Sequence, residues 1–278
     1  MTMAELLQYG FFQNAVLGCM LTGTICGLIG TYIVTRRMVF IAGGMAHASL
    51  GGVGICALIG SIPLVGAALS ALLTGYSVQL LSRRREVRED SAIAMLWAFG
   101  MSVGIMCTFL SPKFLPSLSG YLFGNILFVT HSDLIGLTVL AAVTAVFFYL
   151  FIPQITAIAF DREFAAAQKV NVNLFEYAMT TLIALTIVGC LRIVGIVMVI
   201  SLLSIPQMTA NLLTERFNRM AILSILFSIL CCIAGLAGSY WLNVPGGATI
   251  VLVSILIYTI VHTIKRICRC FCNRVMCP

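Results

Sequence analysis

Residues 41–52 read IAGGMAHASLGG and place one histidine, His47, in a run that is otherwise small and apolar from Met38 to Ile62. Gly43, Gly44, Ala46, Ala48, Ser49, Gly51 and Gly52 surround it, so neighbouring helices can approach this backbone closely. An ionisable group at membrane depth is costly and usually faces a bundle interior or a water-filled path. The rest of the chain reads as the scaffold that places this imidazole. His47 follows Arg37 by about ten residues, which at ~1.5 Å per residue puts it roughly midway across a bilayer.

The composition supports a membrane setting. The 278 residues are 61% hydrophobic and 9% charged, with a mean hydropathy of +1.09. A soluble domain carries roughly a quarter charged residues, so the expected fold class is an all-α polytopic membrane protein. The net charge of +7 sits in short clusters between apolar runs, which argues against nucleic acid as a partner. No cleavable signal peptide is expected, because residues 1–10 lack a basic start. Of the eleven cysteines, Cys19, Cys26, Cys56, Cys107, Cys190, Cys231 and Cys232 lie in apolar segments and show no disulfide framework.

Stretches of about 20 apolar residues predict nine spans, near 12–35, 41–60, 62–82, 92–110, 133–152, 177–191, 193–213, 218–240 and 246–264. Residues 118–129 (LSGYLFGNILFV) are too short to cross and read as a half-helix entering from one face. On this scheme only Lys113 and Arg192 fall on one side, while fourteen other basic residues, from Arg36 to Arg274, crowd the opposite side. The positive-inside rule makes the crowded side cytoplasmic, with the N-terminus outside and the C-terminus inside.

Four further stretches carry polar groups. His131 and Asp133 fall at the outer surface, either simply solvated or meeting a delivery protein or an arriving cation. Residues 160–177 (FDREFAAAQKVNVNLFEY) form the longest polar break, on the cytoplasmic side. There Asp161 resembles an N-cap and Glu163 suits a helix start. Phe164, Ala165, Ala166, Ala167 and Val170 would form a short amphipathic helix, either a plain surface element or, favoured here, a docking knob. Residues 201–213 (SLLSIPQMTANLL) place Ser201, Ser204 and Gln207 around Pro206, which is expected to kink the helix; interhelical bonding and pore lining are both open to them. The tail has Cys268, Cys270, Cys272 and Cys277 among arginines, readable as a basic membrane-hugging tail or as a trap for a soft cation.

No carboxylate lies within the depth of any span, which counts against a carrier driven by protons or sodium. No GxxxxGK[ST] sequence is present, so the chain has no P-loop of its own. A transport machine lacking both needs energy from a separate subunit. A membrane enzyme is the competing class, but His47 and Ser49 are not at the i,i+3 or i,i+4 spacing that puts two side chains on one face. Nothing resembles a GxSxG elbow or an HExxH zinc helix.

The stretches VTRRMVFIAGGMAHASLGGVGI (34–55), GYLFGNILFV (120–129), FDREFAAAQKVNV (160–172) and LRIVGIVMVISLLSIPQMTANLL (191–213) together resemble a permease of the zinc/manganese/iron family of ABC importers. The resemblance runs from about residue 17 to residue 263. It implies a fold similar to the cobalamin and siderophore permeases, a single transmembrane domain over 1–278, and a homodimeric core in the inner membrane. The implied partners are cytoplasmic ABC ATPase subunits and an extracytoplasmic metal-binding protein. His47 matches the family histidine of the permeation path, with Ser49, Ser201, Ser204 and Gln207 as expected path residues. Asp161, Glu163, Phe164 and Ala166 belong to the implied coupling helix at 160–172. No permanent cofactor is expected, only a transported divalent metal. Many relatives carry an aspartate where this chain has Gly43, one turn before His47. The loss of an oxygen ligand favours zinc over manganese, with iron also open. A permease for a metal chelate such as a siderophore or haem is the alternative.

Overall fold

The computed structural model describes residues 8–84, 88–111 and 129–275, together with Gly120, Leu122, Gly124 and Ile126. Most of the expected half-helix at 118–129, Lys113, and the side chains of Cys270, Cys272 and Cys277 lie outside the described residues. All regular structure among the described residues is helical. In chain order the α-helices are α1 (Gly10–Thr35), α2 (Val39–Ile59), α3 (Pro63–Arg84), α4 (Glu89–Leu110), α5 (His131–Phe160), α6 (Arg162–Ala167), α7 (Val172–Leu202), α8 (Ile205–Leu213), α9 (Phe217–Leu242) and α10 (Gly246–Val275).

Eight segments are long and apolar enough to cross a membrane, and one of them, Val172–Leu213, runs to 42 residues. At ~1.5 Å per residue that is ~63 Å, about twice the hydrocarbon thickness. The chain resolves the excess by folding back. Gly195 has φ 76 and ψ 164, a conformation essentially reserved for glycine, and it divides α7 into two limbs. On the first limb Thr180 lies beside Gly75 and Met45, and Arg192 reaches Asp133 at the start of α5. On the second limb Ile200 returns to the depth of Gly43, and Leu212 accepts from Lys265 near the far end of α10. The long apolar segment therefore crosses twice, and the described residues make the nine crossings that the hydropathy pattern predicts.

The fold-back is held from outside by a second glycine. Gly124 has φ +63, and a Cβ there would press on Ile193 O at 2.8 Å and still harder on the backbone of Val194 and Gly195. Gly124 thus seats directly on the turn of α7. Pro153 and the non-helical Phe151 break α5, whose 30 residues exceed one span. Pro206 does not kink a continuous helix. The chain breaks at Leu203–Ser204, and proline opens α8, where its missing N–H costs nothing.

Helix α2 is central, and glycines bring its neighbours onto its backbone. A Cβ on Gly51 would stand 2.7 Å from Gly100 O, and one on Gly54 would stand 2.5 Å from Gly104 O, both carbonyls on α4. Gly52 meets Gly66 of α3 even more closely. In lipid, where apolar burial gives helices little mutual attraction, such backbone proximity supplies the dispersion contacts.

Candidate permeation path and coupling surface

His47 lies on the exposed side of this central helix. Its ring stacks flat on the indole of Trp97 from α4, with centroids 4.3 Å apart and 8° between planes. Phe40, 48% exposed, tilts onto the same indole at 6.2 Å. The imidazole is half-buried, and its Nδ1 has no hydrogen-bond partner among the described residues. Trp97 donates Nε1–H to Met101 Sδ at 3.1 Å, which steadies the indole. Phe99, 67% exposed, and Met95 lie one turn apart on a different, exposed face of α4. The histidine is therefore held half-buried at the α2–α4 contact, its ring plane set by an aromatic neighbour and its buried Nδ1 without a partner among the described residues.

The other expected path residues are placed differently. Ser49 is fully buried; its Oγ donates to Ala46 O at 2.6 Å, and its carbonyl accepts from Ser70 of α3 at 3.2 Å. It belongs to the α2–α3 contact and does not meet His47. Gln207 is 0% exposed and donates through Nε2 to Cys26 O at 2.8 Å and Leu202 O at 2.9 Å. Gly30 leaves the slot in α1 that this amide enters, since a Cβ there would stand 2.5 Å from Nε2. Ser204 bonds Ile200 O at 2.8 Å, while Ser201 is buried with its Oγ unpartnered among the described residues. Gly43 is open by comparison: a Cβ there would meet Ile200 Cδ1 at 4.0 Å and nothing nearer.

At the face where α5 begins, Asp133 closes a capping box with Thr130 and pairs with Arg192 at 3.2 Å. His131 beside it is exposed. At the opposite face, Asp161 caps α6 by accepting from the N–H groups of Glu163 and Phe164, both at 3.0 Å. Ala165 turns inward against Ile158 and Val172. Phe164, 55% exposed, Glu163 and Ala166 point outward. The short helix is thus anchored by one alanine and presents one aromatic ring.

Three features escaped the sequence reading. Trp97 as the partner of His47 had a usable signal, since it follows Glu89 at the same spacing by which His47 follows Val39. The Gly124–Gly195 contact had none, because it joins distant segments. The ion pairs of Glu176 were hidden because that residue stands at the edge of a span.

A bundle of nine crossings with a capped, exposed helix at one face defines a multi-pass membrane permease. The description of the ABC 3 transport family matches residues 8–265, and the chain belongs to that family. Its role is transport. It is 35% identical to the manganese transport system membrane protein MntC of Halalkalibacterium halodurans, over 90% of this chain and 86% of that one. Among solved structures it is similar to PsaBC from Streptococcus pneumoniae in complex with Fab, with a TM-score of 0.85 and 28% identity, covering 94% of this chain and 95% of that one. It also shares its fold with a structure described as a metal-chelate type ABC transporter in an inward-facing conformation, at a TM-score of 0.69 and 16% identity over 90% of this chain and 85% of that one.

Proposed function

We propose that the chain is the transmembrane subunit of an ATP-driven importer of a divalent transition metal, zinc by preference. The observation that carries this reading is the uncommitted imidazole of His47, stacked on Trp97 on an outer face of α2. In a chain alone in a bilayer, a half-buried imidazole whose Nδ1 is buried without a hydrogen bond is an unfavourable arrangement. A second copy across a twofold axis converts it into a path lined by two imidazoles, so the working unit is a homodimer. Two nitrogens make a weak, transient site, and weak binding suits a path from which the ion must leave. Ser49, Ser204 and Gln207 then hold helices in register, and Ser201 is the one hydroxyl of the set free to turn toward a passing ion.

The crowded basic face, with Arg36, Arg162, Arg216 and Lys265, is cytoplasmic in the inner membrane, and the N-terminus lies outside. There α6 seats Phe164 in a groove of an ABC ATPase subunit, with Glu163 and Ala166 at its rim. At the outer face an extracytoplasmic metal-binding protein delivers the ion near His131, beside the Asp133–Arg192 pair. Manganese is the second reading, favoured by the name of the Halalkalibacterium relative. Cellular zinc, manganese and iron uptake, compared between the wild type and His47→Ala, tests the proposal. Unchanged uptake of all three in the variant overturns the path, and loss of manganese uptake alone overturns the preference for zinc.

A further inference from the structure

Glu176, near the start of α7, joins two segments that the transport reading uses separately. Its Oε1 lies 3.1 Å from Arg36 Nη2 and 2.9 Å from Arg162 Nε, and its Oε2 lies 3.4 Å from Arg162 Nη2. Arg162 is the first residue of α6. Arg36 opens the short turn between α1 and α2, the turn from which the His47 helix rises. That turn is conformationally set, since Arg37 next to it has φ 58. Arg36 also donates to Ile158 O at 3.2 Å, near the end of α5. The backbone carbonyl of Glu176 accepts from Gln79 of α3 at 3.3 Å.

The carboxylate is only 11% exposed and borders a cleft of about 410 Å³ lined by Tyr32, Arg36, Gln79, Glu89 and Arg162. In such a setting charge interactions are screened less than at an open surface. Among the described residues Arg36 and Arg162 share this carboxylate, so a displacement of Arg162 changes how firmly it holds Arg36. This is a physical connection between two elements, as energetic coupling requires.

We propose that Glu176 is a positioning residue for transport, a shared ion-pair joint that passes movement of α6 to the α1–α2 turn and so to the helix bearing His47. The proposal rests on the reading of α6 as the ATPase-docking helix. A mere staple between helices would cost stability when cut but would leave transport per folded complex intact. A joint does the reverse.

The test uses the full complex in proteoliposomes, with zinc and manganese as the probes. Glu176→Gln is expected to retain the ATPase subunit and its ATP hydrolysis, while metal moved per ATP falls about tenfold, equivalent to roughly 1.4 kcal/mol of lost coupling. Glu176→Asp is expected to restore part of the ratio. Arg162→Gln, on a half-exposed side chain that tolerates change, should give the same uncoupling even where the glutamine variant is recovered poorly. The double variant should be no worse than either single one, because both cut one connection. A wild-type ratio of metal to ATP in Arg162→Gln or Glu176→Gln, or additive losses in the double variant, overturns the proposal. Phe164→Asp separates the underlying reading: if the ATPase stays bound and active in that variant, α6 is not the docking helix, whatever Glu176 does.

Discussion

Two stretches of this chain set polar residues among apolar ones, residues 41–52 and residues 201–207, and the fold uses them in opposite ways. In the second, Gln207 sits in the slot left by Gly30 and gives its amide to two backbone carbonyls, while Ser204 bonds the turn before it. These groups satisfy a chain break that would otherwise expose carbonyls to hydrocarbon. In the first, small residues do the packing and the histidine is left over. Glycines clamp α2 against α3 and α4, and His47 is left half-buried against Trp97 with its buried Nδ1 unpaired among the described residues. Gln207 and Ser204 are tied to backbone carbonyls and act as scaffold, whereas the ring of His47 is fixed only by stacking on Trp97.

The contrast can be broken at several points. The largest effect is expected from Gly52→Val, because any side chain there collides with the Gly66 backbone. The variant should fail to yield folded, monodisperse protein in size-exclusion chromatography, and a well-behaved variant would show that the glycine clamp is not what holds α2. His47→Ala comes next: metal uptake should fall about tenfold or more, in the range seen when metal-site partners are removed, with the melting temperature unchanged. Gln207→Leu should behave in the reverse sense. It should destabilise by on the order of 1 kcal/mol, as interhelical hydrogen bonds in membranes do, while uptake per folded molecule is retained. If Gln207→Leu abolishes uptake at full stability, the second stretch lines the path after all. The smallest change is expected from Gly43→Asp, which has room beside Ile200 and adds an oxygen ligand one turn from His47. It should shift the ratio of manganese to zinc uptake upward by severalfold in competition assays, since harder oxygen ligands suit manganese.

Much of the architecture was legible in the chain. Hydropathy marked the spans, including the two on either side of Arg192, and charge clusters separated the two faces. The cap at Asp161 was readable because an Asx N-cap is a local device: its oxygen meets N–H groups two and three residues on. The sequence predicts a kink at Pro206, whereas the proline opens a new helix, a distinction that depends on Leu203 and Ser204 leaving the helix first. Asp133 is engaged with Thr130 and Arg192, partners that sequence spacing cannot reveal.

The amino-acid sequence by itself determined the solvent of this protein, the number of its crossings and the uneven charge of its two faces. Each is a property of contiguous residues, summed over a window about as long as a span. Tertiary structure alone decided which polar groups are occupied and which are left open, how Gly195 returns the chain with Gly124 seated on it, and that Arg36 and Arg162 meet at Glu176. Those outcomes depend on backbones from distant segments arriving within a few ångströms of one another, and no local pattern records which segments will meet.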